Sequence, residues 1–136
     1  MKVKDYMSTT VVTAYEQDGL RQTFYRMKER NIRHMPVLGE RNQLVGIISD
    51  RDLRRPDWVD KEENVAHYYL LDNSKKVIEA MTTEPQTMRA ECDIKKANDI
   101  FVKNGFGALP VVDDANNLVG ILSAYDVLRA FGDILE

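Results

Sequence analysis

The nonapeptide LVGIISDRD at residues 44–52 returns as LVGILSAYD at residues 118–126, and this recurrence decides how the rest of the chain is read. Working outward, a shift of 74 positions sets residues 3–53 against 77–127 without a gap, with 13 of the 51 positions identical. They are Val3, Met7, Thr9, Thr13, Pro36, Val37, Asn42, Leu44, Val45, Gly46, Ile47, Ser49 and Asp52. Their counterparts are Val77, Met81, Thr83, Thr87, Pro110, Val111, Asn116, Leu118, Val119, Gly120, Ile121, Ser123 and Asp126. A gapless repeat of this length implies one supersecondary unit used twice, each copy burying an apolar face that it cannot bury alone. Function is expected at the junction of the two copies.

Each copy reads as lead-in, strand, helix, strand, strand, helix. Val11-Val12-Thr13 has the β-branched character of a strand, whereas Pro85 makes Gln86-Thr87-Met88 an edge or irregular extended piece. Leu20, Thr23, Phe24, Met27 and Ile32 recur near helical spacing after Asp18, and Ile94, Ala97, Ile100 and Phe101 do so after Asp93. Each aspartate is the expected N-cap. Asn31 and Asn104-Gly105 supply the stops. Met35-Pro36-Val37-Leu38 and Leu109-Pro110-Val111-Val112 read as buried strands starting at the proline, each joined by a polar turn to the strands 44–48 and 118–122. Ser49 and Ser123 then cap the closing helices. The second of these, residues 124 to about 131, is amphipathic through Val127, Leu128 and Phe131; the first is broken by Pro56. Residues 65–71 are apolar enough for a short helix in the linker.

Composition bounds the function. At 136 residues, each half alone is marginal, so two repeats sharing one core are expected. The formal charge of -3 gives no bulk basic field for phosphate neutralisation, making nucleic acid an improbable partner and leaving room only for a local basic patch. Cys92 is the single cysteine, which excludes an internal disulfide and suits a reducing compartment. No apolar run reaches the roughly 20 residues of a membrane span, and the start lacks the apolar region of a signal peptide. A cytoplasmic location is expected.

Proline-apolar-apolar, a polar turn, then Gly-apolar-apolar-Ser-x-x-Asp, occurring twice, resembles the CBS domain family, whose tandem pairs form Bateman modules. The resemblance spans residues 3 to about 131 and is nearest to free-standing two-repeat proteins of the acetoin-utilisation type. It implies an α/β (α+β) fold of two β-α-β-β-α repeats packed with pseudo-two-fold symmetry: repeat 1 at 1–55, a linker with a short helix at 56–76, and repeat 2 at 77–136. It also implies a sensor, not an enzyme, with AMP, ADP, ATP or S-adenosylmethionine as regulatory ligand and no catalytic cofactor. Family members commonly form flat, disc-like homodimers, and the exposed sides of the closing helices suit such symmetry. An unknown protein partner would read the change. The first rival reading is a structural dimerisation module with empty clefts, and the second is an enzyme acting on nucleotides.

The chemistry asked of these residues is reasonable in itself. A carboxylate such as Asp52 or Asp126 accepts both hydroxyls of a ribose, a serine at a helix start suits a phosphate, and a Val-, Ile- and Pro-lined cleft takes the faces of adenine. The plainer alternative is that each aspartate belongs to its helix cap. Carried over from the family, the preferred cleft collects Thr10, Val11, Val12, Ile32, Arg33, Pro36, Arg51, Ile121, Ser123 and Asp126. The second, weaker cleft collects Ile47, Ser49, Asp52, Glu84, Pro85, Gln86, Phe106, Gly107, Pro110 and Tyr125. The preference rests on Arg33 and Arg51, whose forks match phosphate oxygens; the alternative is that they pair with surface carboxylates.

Other constellations are weak. His34 and His67 with one cysteine make no zinc set, although His34 can border the Asp126 cleft. Gly105-Phe106-Gly107 lacks the third glycine of a dinucleotide fingerprint. Cys92 has a possible thiolate role but reads better as a bystander. Met27, Met35, Met81 and Met88 read as core filler. Trp58 is either a partner contact or a cover for the linker.

Overall fold

In the computed structural model the described residues are 1–54 and 74–135. The readings for Pro56, Trp58, His67 and a helix at 65–71 lie outside them. Packing divides the chain into two units, Val12–Glu84 and Met1–Val11 with Pro85–Glu136. Each repeat's motif is therefore packed together with the other repeat's lead-in.

The first of these units contains β1 (Ala14–Tyr15), α1 (Leu20–Arg30), β2 (His34–Leu38), β3 (Leu44–Ser49), α2 (Asp50–Arg54), α3 (Val77–Ala80) and β4 (Thr82–Thr83). The sheet order is β1-β2-β3-β4, with β1 parallel to β2 and the other pairs antiparallel. Its core gathers Ala14, Leu20, Met27, Met35, Val37, Ile48, Leu53 and Val77.

The other unit contains a 3-10 turn (Val3–Asp5), α4 (Ile94–Asn104), β5 (Ala108–Val112), β6 (Leu118–Ser123) and α5 (Ala124–Leu135). A parallel bridge Met88↔Val111 and an antiparallel bridge Ser8↔Ile121 flank the β5–β6 hairpin. These sit where the repeat offset places Ala14↔Val37 and Thr82↔Ile47, so both sheets have one order. The core holds Val3, Met88, Ile94, Ala97, Phe101, Leu109, Val111, Leu122, Val127 and Ala130, with Cys92 packed at its edge. The expected α+β fold of repeated strand-helix-strand-strand-helix units is present.

The lead-ins are short helical turns. Their first amides, at Lys2 and Lys76, donate to the acids three residues on, Asp5 at 3.0 Å and Glu79 at 2.7 Å. The first strand falls at Ala14–Tyr15, not at Val11–Thr13, because the Ala14↔Val37 register with β2 decides it and not β propensity alone. Pro36 and Pro110 are the third residues of their strands, not the first. α5 runs on to Leu135, and Leu128 is 69% exposed while Val127 and Ala130 face the core. Met27, Met35 and Met88 are buried core as expected, and Met81 is half-buried against it.

Helix ends follow local chemistry. Asn31 and Gly105 close α1 and α4 in the left-handed region, at φ 52° and 70°. Asp93 caps α4, its carboxylate accepting from the Lys95 N–H at 2.9 Å. Asp18 does not cap α1; Gly19 is the cap residue, and the Asp18 carboxylate instead accepts from the Tyr15 N–H at 2.9 Å and pairs with Arg26 at 3.8 Å. Asp93→Ala is accordingly expected to lose about 1 kcal/mol in urea unfolding, within the range for lost N-caps.

Candidate functional site

The Ser-x-x-Asp motif folds into the same construction twice. β3 and β6 end on Ser49 and Ser123, and the next helix starts at once, so the serine hydroxyl meets an unsatisfied helical amide. The Asp52 N–H donates to Ser49 Oγ at 3.1 Å, and the Ser49 N–H returns to Asp52 Oδ2 at 2.9 Å. The second copy gives 3.1 Å and 2.8 Å for Ser123 and Asp126. Each is a reciprocal capping box with aspartate in the acidic role. The capping alternative for both aspartates is thus realised, yet it uses one oxygen of each carboxylate. The second oxygen of Asp126 lies 3.5 Å from Arg129 Nη2.

The remaining candidate residues divide between the units. In the Val12–Glu84 unit, Val12 precedes β1, Ile32 and Arg33 join α1 to β2, Pro36 is in β2, Ile47 and Ser49 are in β3, and Arg51 and Asp52 are in α2. The Arg33 carbonyl accepts the Asp50 N–H at 2.9 Å, tying the pre-strand segment to the start of α2. Ile32 and Arg33 also line a groove of about 350 Å³ with Phe24, Met27, Lys28, Asn31 and Asp50. Arg33 and Arg51 have no carboxylate within 4.0 Å among the described residues.

The other unit holds Thr10 and Val11, which follow the Ser8 bridge to β6. Ser8 exchanges both backbone bonds with Ile121, at 2.9 and 3.0 Å, and its hydroxyl donates to the Thr10 carbonyl at 3.4 Å. Pro85 and Gln86 lead towards Met88, Pro110 is buried in β5, and Gly107 accepts the Ala124 N–H at 3.0 Å. Phe106 and Tyr125 are exposed, at 41% and 68%. Glu84, in the unit that holds β3, has φ 47° and donates weakly to the Val45 carbonyl at 3.4 Å.

His34 is half-buried at the start of β2, opposite Ser49. Burial pushes its pKa below the ordinary 6.5, with Arg33 adding to that, while Asp50 and Asp52 pull the other way. The unfolded chain therefore takes up this proton first as pH falls. Stability supplied by neutral His34 is complete above about 6.5 and declines as pH falls below it. Melting temperatures followed from pH 7.5 to 5 are expected to drop more steeply for the wild type than for His34→Gln.

Sequence reasoning missed Arg129, Tyr6 and Asp133. The only available signal was the i,i+3 spacing of Asp126 and Arg129 on a helix, which favours an ion pair.

The family model described as CBS domain matches residues 3–56 and 63–133. The chain belongs to the CBS domain family. CBSX2, a CBS-pair protein of Arabidopsis thaliana solved in complex with AMP, is 26% identical, with TM-score 0.82 over 99% of this chain and 98% of that one. The CBS domain pair of protein MJ0100, solved with 5'-methylthioadenosine and S-adenosyl-L-methionine, is 27% identical, with TM-score 0.80 over 98% of both chains. A putative acetoin utilization protein of Vibrio cholerae is 26% identical, with TM-score 0.78 over 99% of this chain and 93% of that one. The resemblance to free-standing two-repeat CBS proteins holds. Among curated relatives, an uncharacterized protein of Methanocaldococcus jannaschii is 34% identical over 96% of this CBS chain and 44% of its own length. The CBS chain spans less than half the length of the first curated relatives it matches, which include the far longer L-aspartate semialdehyde sulfurtransferase of the same archaeon. No helix among the described residues is long and apolar enough to cross a membrane.

Proposed function

We propose that this CBS pair is a regulatory module that binds an adenosine compound, with Asp126 as the carboxylate that accepts the ribose hydroxyls. The observation that carries this reading is the doubled capping box: it fixes each carboxylate by one oxygen and leaves the other directed away from the cap. Adenosine as the ligand class is supported by the AMP, 5'-methylthioadenosine and S-adenosyl-L-methionine bound by the two similar CBS pairs.

The preference for Asp126 rests on Arg33 and Arg51. Neither has a carboxylate partner among the described residues, so each guanidinium fork is available to a phosphate. In this proposal Ile121 and Ser123 accompany Asp126, Thr10, Val11, Val12, Ile32 and Pro36 supply the apolar and backbone surroundings, and the Asp52 set binds weakly or a neutral adenosine moiety. The gathering of residues from both repeats is carried over from the family resemblance. Occupancy changes the relative stability of two arrangements of the pair, because a ligand shifts an equilibrium only by binding its two states unequally. A cytoplasmic homodimer and a protein partner that reads its state complete the proposal. Tyr125, Leu128 and Leu135 form an exposed stripe on α5 that a second copy can cover. Sedimentation as a monomer at all concentrations would contradict that part.

Thermal unfolding with AMP, ADP, ATP, NAD, GTP, S-adenosylmethionine and 5'-methylthioadenosine tests the function. Ligand at about 100 times its dissociation constant adds roughly 2.7 kcal/mol. Stabilisation is expected from adenosine compounds alone, removed by Asp126→Asn, diminished for phosphorylated ligands by Arg33→Ala, and retained in Asp52→Asn. The reverse dependence on the two aspartates overturns the choice of site. No stabilisation by any compound leaves the structural dimerisation module.

A further inference from the structure

Arg129 is shared between the carboxylate of Asp126 and the chain around Tyr6. Its Nη2 lies 3.5 Å from Asp126 Oδ1, the oxygen that the capping box does not use. The same nitrogen donates to the Tyr6 carbonyl at 3.4 Å, and the guanidinium carbon sits 5.8 Å from the centre of the Tyr6 ring. The Tyr6 hydroxyl in turn donates to Asp133 at 2.7 Å. The Asp126 side chain is 16% exposed and that of Arg129 50%, so the cation can swing towards water while the carboxylate stays in place.

The sequence does not repeat all of its parts. Three residues after Asp52 the sequence again has an arginine, Arg55, but the position matching Tyr6 is Ala80. Among the described residues, the second repeat is where the arginine meets an aromatic ring and a backbone acceptor of the lead-in packed with it.

We propose that Arg129 is a positioning residue that couples occupancy of Asp126 to the Tyr6 segment: a ligand hydroxyl takes its place on Oδ1, and the guanidinium then rests on Tyr6 alone. This rests on the reading of Asp126 as the ribose carboxylate. Ligand and arginine contend for one oxygen, so binding and the Arg129–Asp126 contact oppose each other reciprocally. A partly exposed pair at this distance is weak, and removing it tightens binding by about two- to fivefold.

The test is calorimetric titration of adenosine into the wild type, Arg129→Gln and Asp126→Asn, with the Tyr6 and Met7 amides followed by NMR. Arg129→Gln is expected to bind two- to fivefold more tightly and to lose the adenosine-induced shifts of those amides, while Asp126→Asn ceases to bind. Equal or weaker binding by Arg129→Gln, or surviving shifts, overturns the coupling and leaves the role of Asp126 standing. Arg129→Lys keeps a charge for Asp126 without the fork that also reaches the Tyr6 carbonyl; wild-type affinity with lost shifts is expected, and retention of both overturns the proposal. Absence of adenosine binding in the wild type overturns the ligand assignment and this inference with it.

Discussion

Ile48→Ala and Leu122→Ala are each expected to lower the free energy of unfolding by about 2 to 5 kcal/mol, the range for Ile or Leu truncated in a closed core. The two residues occupy one position of the repeat, 74 residues apart, and both are 0% exposed. Each lies in a different apolar cluster, Ile48 with Leu20, Met27, Met35 and Val37, and Leu122 with Ile94, Phe101, Leu109 and Val111. Little of the loss is recoverable by collapse, because the truncated side chain faces a hairpin partner on the same sheet: Met35↔Ile48 in one unit and Leu109↔Leu122 in the other. For a domain whose whole stability is typically about 5 to 15 kcal/mol, either change removes a large fraction. Urea unfolding of the two variants measures this. Losses below about 1 kcal/mol in both would mean that the strands are not buried as described.

Alanine at Gly46 or Gly120 is expected to destabilise by about 1 to 3 kcal/mol, although it adds only a methyl group, as overpacking of a closed site does. A Cβ on Gly120 would lie 2.8 Å from Met7 Sδ and 2.9 Å from the Ser8 carbonyl oxygen. On Gly46 it would lie 2.7 Å from Met81 Sδ and 2.8 Å from the Thr82 carbonyl oxygen. The methionine can move; the backbone carbonyl cannot without breaking the bridge it belongs to, Ser8↔Ile121 or the Ile47↔Thr82 pair. These glycines therefore admit the lead-in of the other repeat against the hairpin, a role distinct from turn formation. Denaturation of the two alanine variants, with Gly132→Ala as a control that meets nothing within 4 Å, should separate them. Equal stability of all three would show that the lead-ins do not seat so closely.

The repeat and its capping boxes were legible because they are local: Ser-x-x-Asp states its own hydrogen bonds, and a constant offset states that the unit recurs. Asp18 was misread because two adjacent residues can start α1. The repeat register itself aligns Gly19 with the capping Asp93, and the carboxylate one residue earlier turns back to Tyr15. Leu128 was misread because one residue along a helix rotates the side chain by about 100°, enough to carry it from the core beside Val127 out to solvent. β propensity located valines 11 and 12, whereas pairing placed the strand just beyond them at Ala14–Tyr15. Contacts such as Tyr6 with Asp133 join residues 127 positions apart and leave no trace in any window of sequence.

The placement of Met1–Val11 beside Pro85–Glu136 also dictates an order of events during synthesis. Val12–Glu84 is continuous in the chain, so its sheet can close once β4 has left the ribosome. Ser8 must instead wait for Ile121, closing a span of about 113 residues before its two hydrogen bonds can form. Pairings of such separation are slow because the entropy of closure comes before the contacts that offset it. The lead-in that carries Ser8 is thus made well before the hairpin it joins and is among the last parts of its unit to find a place, and until then the β6 edge stands open to strands of neighbouring molecules.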